Sequence, residues 1–353
     1  MRYLVGFLCV CALGLVLMAG CSDETGFPCT EQGIRDAIAE GGGPHTFDCD
    51  GAQTVVTEFE IAIDNDVILD GEGNLTVDGD EHHRMFWVRK GVVAELRGFS
   101  VTGGTSGFQE DAGGINNNGT LTLTDSTVSG NTATGPYAYG GGVTNYEGTL
   151  TLINSTVSGN SAARGGGIMN YSNGTLTLIN STVSGNTADY GGGVTNYEGT
   201  LTLTNSTVSG NTADYGGGIH NGGTLTLTNS TVSGNTAEVY GGGIFSNWTL
   251  TLTSSIVDGN CVNSAPLFSN GYNIESPGDT CGFDQPTDQV SVSADDLKLE
   301  ALADNGGPTM THALGGDSVA IDKIPADMCE VDEDQRGFPR DSMCDVGAFE
   351  VQP

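Results

Sequence analysis

Between Gly119 and Asn260 the chain repeats nearly one phrase six times. The copies read GTLTLTDSTVSGNTA from Gly119, GTLTLINSTVSGNSA from Gly148, GTLTLINSTVSGNTA from Gly174, GTLTLTNSTVSGNTA from Gly199 and again from Gly223, and a worn WTLTLTSSIVDGNC from Trp248. Their closing asparagines, Asn131, Asn160, Asn186, Asn211, Asn235 and Asn260, lie 29, 26, 25, 24 and 25 residues apart. One unit this short cannot bury its own apolar face, so the period demands a stacked architecture. Leu121 and Leu123 alternate with Thr120, Thr122 and Thr124, the period of a half-buried strand, and this excludes helical repeats.

Each unit then offers a second short strand through Val128, a turn at Gly130 and Asn131, and a third segment after a glycine run, as in Gly140 to Asn145. Three strands and three turns in about 25 residues make one rung of a parallel β-helix, which rises roughly 4.8 Å per rung. The predicted fold is therefore all-β, a right-handed parallel β-helix with a short capping helix at its start. Ile115, Val143, Ile168, Val194, Ile219 and Ile244 recur in register, with Asn two places later in five of the six. Asn and Gly tolerate left-handed backbone at corners, so a column of asparagines at one turn is expected, with amides bonded along the axis. Degenerate rungs run back through Val101 and Val77, 27 and 24 residues apart from their successors, giving eight rungs and about 40 Å of stack.

Residues 1–20 carry one charge, Arg2, ahead of an apolar run to Ala19, the pattern of a secretory signal too short to remain as a membrane span. The run ends in LMAGC, Leu17 to Cys21, which resembles the bacterial lipobox with Met18 where leucine is usual. That resemblance implies lipid on Cys21 and a membrane partner reached through it. The chain has 44 acidic and 11 basic residues; removing residues 1–20 takes away only Arg2, so the exported chain carries 10 − 44 = −34. Such acidity excludes nucleic acid as a natural partner and favours solubility and divalent cations.

Six cysteines follow Cys21: Cys29, Cys49, Cys261, Cys281, Cys329 and Cys344. An even number in an exported chain points to disulfides, and although six allow 15 pairings, proximity favours 29 with 49, 261 with 281 and 329 with 344. No CxxC spacing speaks for zinc. Thr30 to Ala39 reads as an amphipathic helix, with Thr30 as N-cap, Ile34, Ala37 and Ile38 on one face and Gly41 as its stop. Its role is to cover the open strand edges of the stack. The division is then signal peptide 1–20, anchor linker and N-terminal cap 21–53, β-helix 54–260, and a disulfide-stapled C-terminal cap 261–353.

The GGG[IV] and SGN elements of the rungs resemble the pectin-lyase-like β-helix superfamily and the repeats of chlamydial polymorphic outer-membrane proteins. LADNGGPTMTHAL from Leu302, AIDKI from Ala320, and DQRGFPR through CDVGAFE from Asp334 to Glu350 resemble the bacterial choice-of-anchor Q surface domain. The resemblance covers nearly the whole exported chain. It implies display at the cell surface or outer membrane as a lipoprotein and carries no established chemistry.

Lyases on such a fold need a cationic base and calcium-binding acids, and the related hydrolases need paired aspartates with a nearby His. Between Thr105 and Asn260 the one cation is Arg164 and the one histidine is His220, so neither set can be assembled on the rungs. Arg84, Arg89, Lys90 and Arg97, near His82 and His83, form either a site or a solvated end of the stack. Asp189, Asp214 and Glu238 recur before the glycine run and should lie one strand spacing apart, either welcoming Ca²⁺ or splaying into solvent. The Asp332 to Asp334 cluster lacks EF-hand spacing. Tyr139, Tyr190, Tyr215 and Tyr240 form a column with Arg164 between, and Tyr146, Tyr171 and Tyr197 form a second. Such columns either stack against sugar rings or simply stabilise the helix as like-on-like ladders.

The sequence thus favours a non-enzymatic, lipid-anchored surface protein with a structural, adhesive or polysaccharide-binding role. A Ca²⁺-dependent polysaccharide lyase is the alternative. A third, ice binding by the outward Thr120 and Thr122 arrays, is weaker.

Overall fold

The computed structural model describes residues 26–107 and 111–352. Helix α1, Glu31–Glu40, forms where expected: the Thr30 hydroxyl accepts from the Gly33 amide at 3.1 Å, and Gly41, at φ 67°, ends it by donating to Ala37. It buries Ile34, Ala37 and Ile38 in the main core.

All the strands of the main sheet pair in parallel. In the first column Thr120–Thr124 pairs with Thr149–Ile153, and that with Thr175–Ile179, so Leu121, Leu150 and Leu176 lie one above another. Leu201, Leu225 and Leu250 continue the row. A second column carries Val128, Val157, Val183, Val208, Val232 and Val257, and a third carries Ile115, Val143, Ile168, Val194, Ile219 and Ile244. These apolar columns are buried and form one continuous core down the axis. Alternation puts leucine in and threonine out, and stacking supplies the partner that a lone rung lacks.

The ladder outruns the expected limits of 54 and 260. Gly42–Asp48 already pairs with Val67–Asp78, and Cys261–Asn263, Leu267–Ser269 and Ile274–Ser276 each pair with the rung before. The stack has about nine turns, not eight. What ends at Asn260 is the copied phrase; Leu267 keeps the inward position opposite Leu250 without it, while Ile274, opposite Ile256, faces outward toward the tail.

Residues 290–352 are more than the expected cap: part of this tail returns along the flank of the stack, over the second column. Thr309 donates to the Asn180 carbonyl at 2.9 Å and Thr182 to the Met310 carbonyl at 2.7 Å. Gln335 bridges Thr182 and Thr207, His312 meets Ser209, the Ala348 amide meets Thr231, and the Gly347 amide reaches the Ser254 carbonyl. A small second core joins Leu297, Leu314, Ala320, Ile324 and Val346 to Ile256 and Ile274 of the last turns. Disulfides link Cys29 to Cys49, Cys261 to Cys281 and Cys329 to Cys344, the pairings that proximity favours.

Candidate functional site

The corner after the second strand fixes where the outward side chains go. Gly191 opens its glycine run at φ 63°, and a Cβ on the next residue, Gly192, would lie 2.5 Å from the Gly217 carbonyl of the following rung. Only glycine permits that approach of successive corners, and the residue just before the run is turned outward. Tyr139, Arg164, Tyr190, Tyr215 and Tyr240 hold this place and pair rung to rung in parallel. The Tyr190 and Tyr215 rings stack at 5.1 Å with 8° between planes, and the Arg164 guanidinium lies over Tyr190 at 5.2 Å. Tyr240, after the inserted Val239, is tilted by 46° and is 55% exposed. Tyr171 stacks on both Tyr139 and Tyr197, which joins the two tyrosine columns, while His220 stacks on Phe245 and meets Tyr190 edge-on.

This differs in one respect from a strip of sugar platforms. Tyr190 and Tyr215 give each other a face, so they offer outward chiefly edges and phenolic hydroxyls. Burial, with help from the Arg164 charge, pushes His220 down to about 4, so it is neutral at ordinary pH. Its Nδ1 is buried without a partner.

The carboxylate column does not converge. Asp189 and Glu238 are exposed and Asp214 is half-buried, and the extra Val239 shifts the register between Ala213 and Tyr215. Among the described residues no group of three or more His, Cys, Asp or Glu side chains gathers as a metal site. Asp189, Asp214 and Glu238, the Ca²⁺ candidates of the sequence, are thus not gathered into one donor cluster.

The N-terminal cations are individually engaged. Arg84 pairs with Glu60, Arg89 lies 3.3 Å over the Trp87 ring, Lys90 meets Glu147 at 3.1 Å and Arg97 meets Glu95 at 2.8 Å. Each of the four thus has a carboxylate or a ring as its partner. The tail motifs also serve structure: Asp334 holds Arg336, and Glu350 holds Arg340 at 3.0 Å, with all four side chains nearly inaccessible. Burial pushes Asp345 up to about 6, against the restraining amides of Val351 and Asp322, and burial raises Glu350 as well. Cys21, the lipidation candidate, lies outside the described residues. Among the described residues no helix is long and apolar enough to cross a membrane.

Two features are not apparent from the sequence pattern. The asparagines of the SGN turns are buried and point inward; the left-handed corners fall to their glycines and to Asn154, Asn180, Asn205 and Asn229. A serine ladder from Ser126 to Ser255 also runs along the axis, each amide bonded to the next hydroxyl at 3.1 to 3.2 Å as far as Ser255. The repeated STVS phrase is its signal.

Comparison with known proteins agrees with this architecture. Residues 114–281 match the family described as right-handed β-helix region. A crystal structure of pectate lyase Pel9A superposes with a TM-score of 0.50 at 14% identity, covering 90% of each chain. No curated protein sequence matches. At that identity the likeness speaks for the fold alone, and both comparisons agree on a right-handed parallel β-helix.

Proposed function

We propose that this chain is an exported, lipid-anchored surface protein that binds polysaccharide without cleaving it. The observation that carries this reading is the in-register outward row of Tyr190, Tyr215 and Tyr240 on rungs whose one cation, Arg164, lies against a ring. A polysaccharide lying along the row would meet repeated phenolic hydroxyls one strand spacing apart and the open ring of Tyr240. Each contact is weak, and their number supplies the binding. The lyase alternative, which the resemblance implies would need a cationic base, finds on the copied rungs only Arg164, and that guanidinium lies over the Tyr190 ring.

Two assays test the reading. A glycan array with the exported chain should show retention of a polysaccharide, reduced when Tyr190, Tyr215 and Tyr240 are all replaced by Ala. A parallel assay for unsaturated sugar products, with and without Ca²⁺, should stay silent; product would establish the lyase alternative. For the anchor, Cys21→Ala should move the protein from the membrane fraction to the soluble one, and unchanged membrane retention would refute lipidation at that cysteine.

A further inference from the structure

The tail covers a hydroxyl column only in part, and the place where it stops is a groove. Thr182, Thr207 and Thr231 of the second strand column are buried, and each is hydrogen-bonded to the tail. Thr127 and Thr156 extend the same column in parallel register and are only half-buried. Between them and the tail loop that holds Asp304 and Met310 lies a groove of about 400 Å³, with Ser158 and Ser184 in its floor. That volume falls in the range of small-ligand sites, which favour junctions of this kind.

We propose that this groove is a binding site for a neutral oligosaccharide segment. The proposal rests on the polysaccharide reading above, and it assigns a site on a different column from the tyrosine row. The covered part of the column shows what its hydroxyls can do. Thr182 donates to a carbonyl while accepting from the Gln335 amide, and Thr231 accepts from a backbone amide. The open hydroxyls of Thr127, Thr156, Ser158 and Ser184 carry the same donor and acceptor capacity, set out in rows one strand apart.

No Lys, Arg or His lines the groove, and Asp304 stands at its rim, so an anionic ligand is disfavoured. A carboxylate accepts well from paired sugar hydroxyls. Met310, 51% exposed, offers an apolar contact for the C–H face of a sugar ring. An added peptide strand is the poorer fit, because the strands here already spend their amides and carbonyls on neighbouring rungs.

The test uses the full exported chain with cellobiose, maltose and diacetylchitobiose as probes and digalacturonate as the anionic control, read by titration calorimetry and saturation-transfer NMR. At least one neutral disaccharide should bind saturably in the millimolar range, and digalacturonate should not. Thr156→Val and Asp304→Asn should each weaken binding about tenfold, the effect of one lost hydrogen bond. Circular dichroism should show both variants folded, since each side chain points out of the core.

Failure of every neutral probe to bind, equal binding by digalacturonate, or full binding by the two groove variants overturns the proposal. A polysaccharide still retained by a chain with a silent groove defeats the groove alone. Silence toward disaccharides and polysaccharides together defeats the reading beneath it as well.

Discussion

Asparagine does two different jobs in each rung, and the same side chain suits both. At Asn154, Asn180, Asn205 and Asn229 it sits in left-handed backbone, with φ between 45° and 52°. At Asn131, Asn160, Asn186, Asn211 and Asn235 it points inward, each amide donating to the next at 2.9 to 3.0 Å. A second ladder runs from Asn117 through Asn145, Asn170 and Asn196 to Asn221 and ends on the hydroxyl of Ser246. An amide is donor and acceptor at once, so a column of identical residues satisfies itself, which aspartate or leucine cannot do. Asn186→Ala leaves the amide and side-chain NH₂ of Asn160 without their acceptor and should cost roughly 2 to 6 kcal/mol in urea unfolding. An unchanged midpoint would mean that the ladder contributes nothing. The pattern of asparagines was legible in the sequence; which column turns inward was not, because residue type is common to both. His220 gives a second residue-scale expectation. Held at about 4, below its ordinary 6.5, it favours the folded state above pH 6.5 and loses that contribution as pH falls from there through about 4. An NMR titration of the imidazole should show a midpoint near 4, moved upward in Arg164→Met; a midpoint near 6.5 in the parent would show that burial is less complete than the packing implies.

Among the elements, strands and α1 were readable because their causes are local: alternation for one, a capping threonine and a stopping glycine for the other. The course of the tail was not readable. Its contacts join residues 128 apart, as in Thr182 with Met310 and Asn205 with Glu333, and no periodicity announces them. The DQRGFPR and CDVGAFE phrases look like a family signature, and in the fold they act as a clasp. Gln335 grips Thr182 and Thr207, while the two arginine–carboxylate pairs hold the loop that presents it. Asp345 sits beside them with a folded pKa pushed up to about 6, above its ordinary 3.8. Its contribution is therefore full below about pH 4 and is lost as pH rises through about 6. Hydrogen exchange at the Asp322 and Val351 amides, which bond to Asp345, should show greater protection at pH 5 than at pH 7.5. The gap between the parent and Asp345→Asn isolates this carboxyl from His312, whose pKa burial lowers and whose effect runs the opposite way. Equal protection at both pH values would contradict the shift.

At the scale of the whole molecule, near-identity between rungs makes the stack modular. Deleting Gly174 to Glu198 removes Asn180 and Thr182, on which Thr309, Met310 and Gln335 sit. The preceding rung, however, brings Asn154 and Thr156 into register at the same places. The deletion variant should remain a cooperative, shorter solenoid with its tail docked, seen as unchanged circular dichroism and retained protection at Val351. Global unfolding would show that the rungs are not interchangeable. A released tail on an intact stack would show that the seat is specific to one rung.

Because the tail is fastened to the last turns through Ser254, Ile256 and Ile274, its reach is measured from one end only. Recombination between near-identical copies would therefore lengthen or shorten the uncovered flank without disturbing the fastening. Related chains would then differ in height while sharing the same two fixed ends.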